Sequence, residues 1–593
     1  MNAAAFEQDI TRCGDHSPRA LRDLTGAHAF VGSRWGEALV SGGELLRVLG
    51  AHPLALARAQ ASLSLEMTRI ALGRSKLRPG PEDRRFTDPA WRDNPIFSRL
   101  LQGYLAWSST LLELVHGLRV GADQRRRLLF VAEHLVAAGA PSNLFLTHPG
   151  FYSAAARTHG LSIVSGVRHL LEDVRTNRGL PRQVDDSAFR IGHNLATTEG
   201  AVVHRDEVFE LIQYSPRTES VDAQPVLACP PQINKYYVLD LSPQNSFVRY
   251  ALERGQQMFV ISWRNPTAAQ RDWDLATYVR ATAQAIDIVR EITGEQPVKL
   301  LGACAGGLTA AVTLAWLAGR GEQSKVSCLS LFVTMLDSPR ARRLARVADD
   351  AAVAAALARS QFSGVLDGAD MARTFAWLRP NELIWHFVVN NYVLGNQPPA
   401  FDILYWNSDS TRLPAALHAD LLSIYRNTRL RSGRDFTIDG VDIDIGAIDR
   451  DVFVVAGARD HITPWQACYR SMQMFGSNMR FVLGSAGHVQ SLLCPPHDGL
   501  NSAMNEAADD ADSAPKPDKR ANADNACFYV NDDYSLDPAA WRRGARVQQG
   551  SWWPAWISWC ESHGGEQKPA PAVYGNDEYE PIDAAPGRYV RQI

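Results

Sequence analysis

The chain has 593 residues, of which 46% are hydrophobic and 21% charged, as is typical of a globular protein with more than one folding unit. Its formal net charge of -3 provides no basic stripe to follow a phosphate backbone, so composition disfavours nucleic acid as a partner. The eight cysteines stand singly, and neither a signal peptide nor an apolar run of about 18 residues is present, so we expect a reduced, cytoplasmic protein.

The first part of the chain carries the apolar spacing of helices. Apolar residues recur every three or four positions over residues 37–120, and a second such run covers residues 126–138. The second run ends at Gly139-Ala140-Pro141, a combination that stops a helix. We therefore expect residues 1–190 to form an amino-terminal helical domain.

Beyond about residue 213 the pattern changes to short runs rich in valine and isoleucine, which alternate with helical patterns at 273–292 and 307–318. This alternation predicts a mainly parallel, buried sheet within a second domain of residues 191–593. The predicted strands cover residues 225–229, 258–263, 298–303, 329–336, 452–456 and 480–483.

An aromatic-rich stretch interrupts this alternation at about residues 340–432. Because it falls between two strands, it predicts a lid that excludes water from a site. Extra helices that only shield the sheet are the alternative, since aromatic residues are also common in cores. Residues 503–525 are polar, acidic and alanine-rich, which predicts a disordered loop. The tail after this loop regains tryptophans, so we expect it to pack onto the main body.

The sharpest motif is Gly302-Ala303-Cys304-Ala305-Gly306, which joins an apolar strand to an alanine-rich helix. Gly-x-Cys-x-Gly at such a junction is a nucleophile elbow with cysteine replacing serine, and it predicts the α/β-hydrolase fold. The turn is so tight that glycine is expected to be required at both flanking positions. A helix amino terminus next to the sulfur favours the reactive thiolate. A buried, inert cysteine between glycines is the alternative.

In this fold an acid and a histidine follow the nucleophile, each on a loop after a strand. Asp460 follows the predicted strand at 452–456, and His488 follows the next one at 480–483. We therefore predict a catalytic triad of Cys304, Asp460 and His488, in which the imidazole moves the proton and the carboxylate orients the imidazole. His461 is a rival base, although its position next to Asp460 favours a supporting role.

An oxyanion hole is expected to complete such a site. The backbone N–H of Ala305 is the predicted first donor, and the second is expected from the loop at residues 230–234. Asn234 in this loop is a further candidate supporting residue. The sequence contains no glycine-rich phosphate loop, no His-x-x-x-His and no Cys-x-x-Cys, so we expect neither a metal nor a cofactor.

With these motifs in place, the chain resembles the polyhydroxyalkanoate synthases over nearly its whole length, and most closely their class II, which favours medium-chain substrates. Two departures are a long acidic insert at 503–525 and Cys494, where asparagine is more usual. The motifs that carry the resemblance are Asn-Pro-Ile-Phe at 94–97, Pro-Ser-Asn at 141–143, Pro-Gln-Ile-Asn-Lys-Tyr-Tyr at 231–237, Ser-Trp-Arg-Asn-Pro at 262–266, Leu-Arg-Pro-Asn-Glu at 378–382 and Tyr-Trp-Asn-Ser-Asp-Ser at 405–410.

The resemblance implies an acyltransferase that is acylated at Cys304 by an (R)-3-hydroxyacyl-CoA. The 3-hydroxyl of another unit, deprotonated by His488, would then lengthen a polyester. It also implies a homodimer that works on the growing polyester chain at the surface of cytoplasmic granules. A thiol is independently suited to thioester donors, because it exchanges one thioester for another at little free-energy cost.

Two other functions are compatible with the motifs. A hydrolase with the same triad, such as an intracellular polyester depolymerase or a lactone hydrolase, would use water as the acceptor. A noncatalytic granule-surface protein that kept the fold is the second alternative, and the presence of all three triad residues weighs against it.

Overall fold

The computed structural model describes residues 35–80, 83–177, 179–336, 350–378, 380–427, 430, 436–496 and 526–593. The predicted disordered loop at 503–525 and both ends of the predicted lid lie outside these residues. The chain divides into two compact units. Of the predicted lid, residues 370–401 belong to the first unit, and the described residues 350–369 and 402–427 belong to the second.

The first unit is helical, as the apolar spacing predicts. Asn94 begins its longest helix, because the Asn94 side chain accepts hydrogen bonds from the backbone N–H groups of Ile96 and Phe97. The carboxy-terminal part of the unit adds the helix Gly368–Leu378 and two π-helical turns, Asn381–Trp385 and Val388–Val393. The α-helices that the structure describes before residue 187 are α1 (Trp35–Gly50), α2 (Pro53–Ala71), α3 (Ala90–Asp93), α4 (Pro95–Gly117), α5 (Ala122–Ala138), α6 (Pro149–Arg157) and α7 (Leu161–Thr176).

The second unit is built on one mixed sheet of eleven strands. Strands β3 to β8 are parallel to one another, and the remaining strands pair antiparallel at the two edges. The order across the sheet is β10-β9-β8-β7-β6-β5-β3-β4-β2-β1-β11. The strands are β1 (Gly200–Arg205), β2 (Phe209–Tyr214), β3 (Val226–Cys229), β4 (Met258–Trp263), β5 (Val298–Ala303), β6 (Val326–Phe332), β7 (Asp451–Gly457), β8 (Met479–Gly484), β9 (Cys527–Val530), β10 (Arg546–Gln549) and β11 (Asp583–Ala584).

Helices connect the parallel strands, as crossovers between parallel strands require. Helix α10 follows β5 and is buried along almost its whole length, which explains its alanine-rich sequence. The described α-helices of the second unit are α8 (Phe247–Leu252), α9 (Leu275–Thr293), α10 (Ala305–Gly319), α11 (Asp350–Ser363), α12 (Asp402–Ser408), α13 (Ala415–Asn427), α14 (Trp465–Met472), α15 (His488–Leu492), α16 (Pro538–Gly544) and α17 (Trp553–Glu561).

Five of the six predicted strands coincide with β3, β4, β5, β7 and β8 to within one residue at each end. The prediction of a strand at 329–336 is wrong in its bounds, because β6 ends at Phe332. Val333 then takes a positive φ of 44°, which ends the extended conformation although the sequence stays apolar. The edge strands β1, β2, β9, β10 and β11 were not predicted.

The tryptophans of the tail pack against the sheet and its loops, as expected. The indole N–H of Trp556 donates to the Ser330 hydroxyl at 2.9 Å, and that of Trp552 donates to the Ser491 carbonyl at 2.7 Å. Both indoles are fully buried, and each meets its polar requirement through a hydrogen bond. Among the described helices, none is both long and apolar enough to cross a membrane.

A buried ion pair lies at the amino end of the central strands. The Lys299 ammonium donates to Asp222 at 2.6 Å and to the Gln256 side chain at 2.8 Å. Lys299 and Asp222 are both almost completely buried. Burial raises the pKa of Asp222, and the neighbouring charge and hydrogen bond of Lys299 oppose that effect.

Candidate active site

Cys304 lies at the sharp turn between β5 and α10. Its backbone has φ 51° and ψ -120°, a conformation that non-glycine residues rarely adopt. The Cys304 N–H donates to the Phe332 carbonyl at 2.9 Å, which anchors the turn to the neighbouring strand. The Cys304 side chain is partly exposed, unlike that of Cys229, Cys328 or Cys468. Cys304 is therefore not a fully buried thiol.

The glycines that flank the turn have no room for a side chain. A Cβ on Gly302 would lie 2.5 Å from the Gly307 Cα, and one on Gly306 would lie 2.2 Å from the Cys229 carbonyl oxygen. The predicted requirement for glycine at both positions is confirmed. Gly307 is a third such position, since its Cβ would meet the Thr334 hydroxyl, which donates to the Cys304 carbonyl at 3.2 Å.

Asp460 lies on the loop after β7 and is held by its own loop. One carboxylate oxygen accepts the backbone N–H groups of Ile462 at 2.8 Å and Thr463 at 2.9 Å. The other oxygen accepts the Thr463 hydroxyl at 2.7 Å. Burial would raise the pKa of Asp460, but the charge of His488 and these hydrogen bonds lower it. Asp460 is therefore a fixed carboxylate.

His488 begins α15, directly after β8, and contacts Asp460. Its Nδ1 lies 2.6 Å from the Asp460 carboxylate, and its side chain is 9% exposed. Burial disfavours the charged imidazole, yet the charges on Asp460 and Cys304 and the hydrogen bonds to both raise the pKa of His488 to about 10. Because Nδ1 faces Asp460, Nε2 is left to face Cys304. The structure thus brings the three predicted triad residues together.

The other three candidate site residues lie on the loops after β7 and β3 and at the start of α10. His461 follows Asp460 in the same loop and is partly buried. Ala305 is the first residue of α10, so its N–H is free of an intrahelical acceptor. Asn234 pairs with Ser410 in an isolated bridge.

Several neighbours of the triad were not predicted. Thr463 binds Asp460 and also lies 3.2 Å from the His488 Nδ1. Tyr425 on α13 is buried, and its burial together with the charges of Cys304 and Cys468 raises its pKa. A threonine three residues after a loop aspartate is a usable sequence signal for the first contact. Tyr425 has no such signal, since it lies 121 residues from Cys304 in the chain.

A parallel sheet with a cysteine at the elbow, a loop carboxylate and a loop histidine defines an enzyme of the α/β-hydrolase fold. The sequence profile described as "alpha/beta hydrolase fold" matches residues 237–493, and the profile of the "Poly-beta-hydroxybutyrate polymerase (PhaC) N-terminus" matches residues 82–251. Both profiles cover parts of the chain that the resemblance had assigned to one enzyme family.

Curated relatives extend the likeness to almost the full length. Poly(3-hydroxyalkanoate) polymerase 1 of Ectopseudomonas oleovorans is 42% identical over 97% of this chain and 98% of its own. Polymerase 2 of the same organism is 44% identical over 91% of this chain and 92% of its own. The Cupriavidus necator polymerase subunit PhaC is 37% identical over 88% and 85%. The chain belongs to the poly(3-hydroxyalkanoate) polymerase family.

Proposed function

We propose that the chain polymerises (R)-3-hydroxyacyl-CoA thioesters into a polyhydroxyalkanoate, with release of CoA, through an acyl-Cys304 intermediate. The family supports the reaction class, and the contact of Asp460 with His488 beside Cys304 supports the residues. The contact of the His488 Nδ1 with Asp460 at 2.6 Å carries the mechanism, because it orients the imidazole and leaves its other nitrogen for proton transfer at Cys304. The raised pKa of His488 agrees with an imidazolium beside the sulfur.

The first half-reaction transfers the acyl group to the enzyme. The Cys304 thiolate attacks the thioester carbonyl carbon, and the negative charge on the carbonyl oxygen is stabilised by the Ala305 N–H and a second backbone donor. The tetrahedral intermediate collapses with cleavage of the bond to the CoA sulfur. His488 gives its proton to the leaving CoA thiolate and becomes neutral. The products are free CoA and an acyl-Cys304 thioester.

The second half-reaction forms the ester bond. Acylation removes the negative charge of Cys304, which is one of the causes that raise the pKa of His488, so the imidazole can then work as a base. Neutral His488 accepts the proton of a 3-hydroxyl group, whose oxygen attacks a thioester carbonyl and lengthens the chain by one unit. The thiolate that leaves is Cys304 or CoA, according to which thioester is attacked.

The decisive test compares product and thiol release. Purified protein is incubated with (R)-3-hydroxyacyl-CoA, CoA is measured by its free thiol, and the product is analysed by mass. Insoluble polyester with stoichiometric CoA supports the proposal, whereas soluble monomer acid with CoA points to the hydrolase alternative. No CoA release at all points to a noncatalytic protein. Cys304→Ala is expected to abolish CoA release, and Cys527→Ser, a partly exposed thiol on β9, is the matched control.

We also propose that the enzyme works at the surface of its polyester in the cytoplasm. Support comes from α7, which buries Ser162, Gly166 and Asp173 and leaves Leu161, Val164, Leu171 and Val174 between 50% and 68% exposed. A helix that buries its polar face and exposes its apolar face suits an apolar surface. Replacing Val164 and Leu171 by serine is expected to reduce co-sedimentation with preformed polyester granules. Homodimer formation remains a prediction of the resemblance, which sedimentation velocity tests.

A further inference from the structure

The loop that follows β3 crosses the first turn of α10. The carbonyls of Cys229 and Pro230 lie so close to Gly306 that no Cβ would fit between them. Gln232 then donates from its side chain to Thr309 on α10 at 2.9 Å. This loop therefore lies beside the Ala305 N–H, where a second oxyanion donor is needed.

The two prolines narrow the choice of that donor. Pro230 and Pro231 have no backbone N–H, so the first amides after β3 belong to Gln232 and Ile233. Among the described residues, neither of these N–H groups donates to another protein atom. Neither N–H is therefore committed to an acceptor in the described part of the protein.

The segment at 406–411 donates hydrogen bonds to the backbone carbonyls of the same loop. Thr411 donates from its hydroxyl to the Gln232 carbonyl at 2.5 Å and from its N–H to the Ile233 carbonyl at 3.3 Å. The Trp406 indole donates to the Lys235 carbonyl at 2.8 Å. Because C=O and N–H point in opposite directions across a trans peptide, the Gln232 carbonyl directed at Thr411 aims the Ile233 N–H away from this segment.

An ion pair between a buried lysine and a partly exposed aspartate holds this arrangement. The Lys235 ammonium lies 2.6 Å from one oxygen of Asp409, with the Lys235 side chain only 5% exposed. The Tyr237 hydroxyl donates to the other oxygen at 2.9 Å, and burial raises the pKa of Tyr237, so the phenol keeps its proton. Burial of the Lys235 ammonium costs desolvation free energy, which the contact with Asp409 offsets.

We propose that Lys235, Asp409 and Tyr237 form a latch that holds the loop at 232–235 against the 406–411 segment, so that the Ile233 N–H is aimed as the second oxyanion donor. The latch residues are positioning residues that act through the loop backbone. This inference rests on the proposed function, since it concerns the oxyanion of the acyl-transfer step.

Breaking the latch should affect two reactions of the Cys304 thiol differently. Attack on a thioester needs the oxyanion donors, whereas alkylation of Cys304 by iodoacetamide is a displacement at a saturated carbon and needs only the thiolate. A broken latch is therefore expected to slow acylation and leave alkylation unchanged. A general loss of structure would slow both.

The test uses the full-length chain with Asp409→Asn and Lys235→Met. The rate of CoA release in a single turnover with (R)-3-hydroxyacyl-CoA is expected to fall by about 10- to 100-fold, less than the roughly 100- to 1000-fold typical of losing a donor outright. Iodoacetamide alkylation is expected to stay within about twofold of the wild type. Lys235→Arg, which keeps the charge, is expected to retain more activity than Lys235→Met.

Asp402→Asn is the matched control, because Asp402 is a buried carboxylate on α12 that binds Ser242 and Asn245 rather than the loop. Unchanged acylation in Asp409→Asn, or acylation and alkylation that fall together, would overturn the latch. An equal loss of acylation in Asp402→Asn would overturn it as well. A wild-type protein that releases no CoA would instead refute the proposed function, so the two failures are distinguishable.

Discussion

Replacing Asp460 by asparagine tests how the imidazole of His488 is held. Asparagine fits the site and can still accept the N–H groups of Ile462 and Thr463 through its carbonyl oxygen. Its amide nitrogen would then replace the oxygen that lies 2.6 Å from the His488 Nδ1. Two N–H groups would face each other there, unless His488 changes tautomer and places its proton on Nε2. In that tautomer it cannot accept a proton at the atom that faces Cys304.

The size of the effect follows from the lost interactions. A hydrogen bond to a charged group contributes about 1.5–3 kcal/mol, and the donor left unpaired in a buried site adds about 1–3 kcal/mol. The sum of about 2.5–6 kcal/mol corresponds to a roughly 70- to 25,000-fold lower turnover, at about 1.36 kcal/mol for each factor of ten. The fold itself should survive, because the substitution keeps the size of the side chain.

The assay is steady-state CoA release, with thermal unfolding measured in parallel. Asp451→Asn is the matched control, since Asp451 also contacts a histidine, His563, at 3.0 Å but lies at the start of β7, away from the thiol. Turnover in Asp451→Asn is expected to match the wild type. The reasoning would be refuted if Asp460→Asn kept turnover within about threefold of the wild type, or if Asp451→Asn lost as much.

Three further predictions concern stability. Because the pKa of His488 is raised to about 10, its charged form stabilises the fold fully below the unfolded-state pKa of about 6.5, and this stabilisation is lost as pH rises through 10. The difference in melting temperature between wild type and His488→Gln should therefore shrink over that pH interval. A constant difference would contradict the assignment. Gly306→Ala forces a Cβ to within 2.2 Å of a backbone oxygen and should cost about 1–3 kcal/mol or more, whereas Gly117→Ala has open space and should be nearly neutral in denaturant titrations. Asp222→Ala leaves Lys299 buried without its charge partner and should cost about 3–5 kcal/mol, and adding Lys299→Met should recover much of this loss; no recovery in urea unfolding would show that the ion pair itself is needed.

The central strands and the elbow could be predicted from the sequence because local constraints determine them. A strand buried on both faces is mostly apolar, as in β3, and the turn at Cys304 excludes any side chain at Gly302 and Gly306. Asp460 and His488 could be placed because each follows such a strand within a few residues.

Other features depend on contacts between residues that are distant in the chain. Strand β11 is two residues long and exists only because it pairs with β1, almost 400 residues earlier. The end of β6 is set by a backbone conformation at Val333 that the apolar sequence does not reveal. Tyr425 on α13, whose pKa the charge of Cys304 raises, lies 121 residues after that cysteine in the chain. The contact of Lys235 with Asp409 joins two motifs that are 174 residues apart.

The most direct measurement of the central claim is the mass of the acylated enzyme. The protein is mixed with (R)-3-hydroxyacyl-CoA, quenched with acid within one turnover, digested and analysed by mass spectrometry. We expect one acyl group on the peptide that contains Cys304, removable by neutral hydroxylamine as a thioester should be, and no acyl group on Cys468 or Cys527. CoA release with the acyl group on a different residue, or with no covalent adduct at any time, would contradict the proposed mechanism.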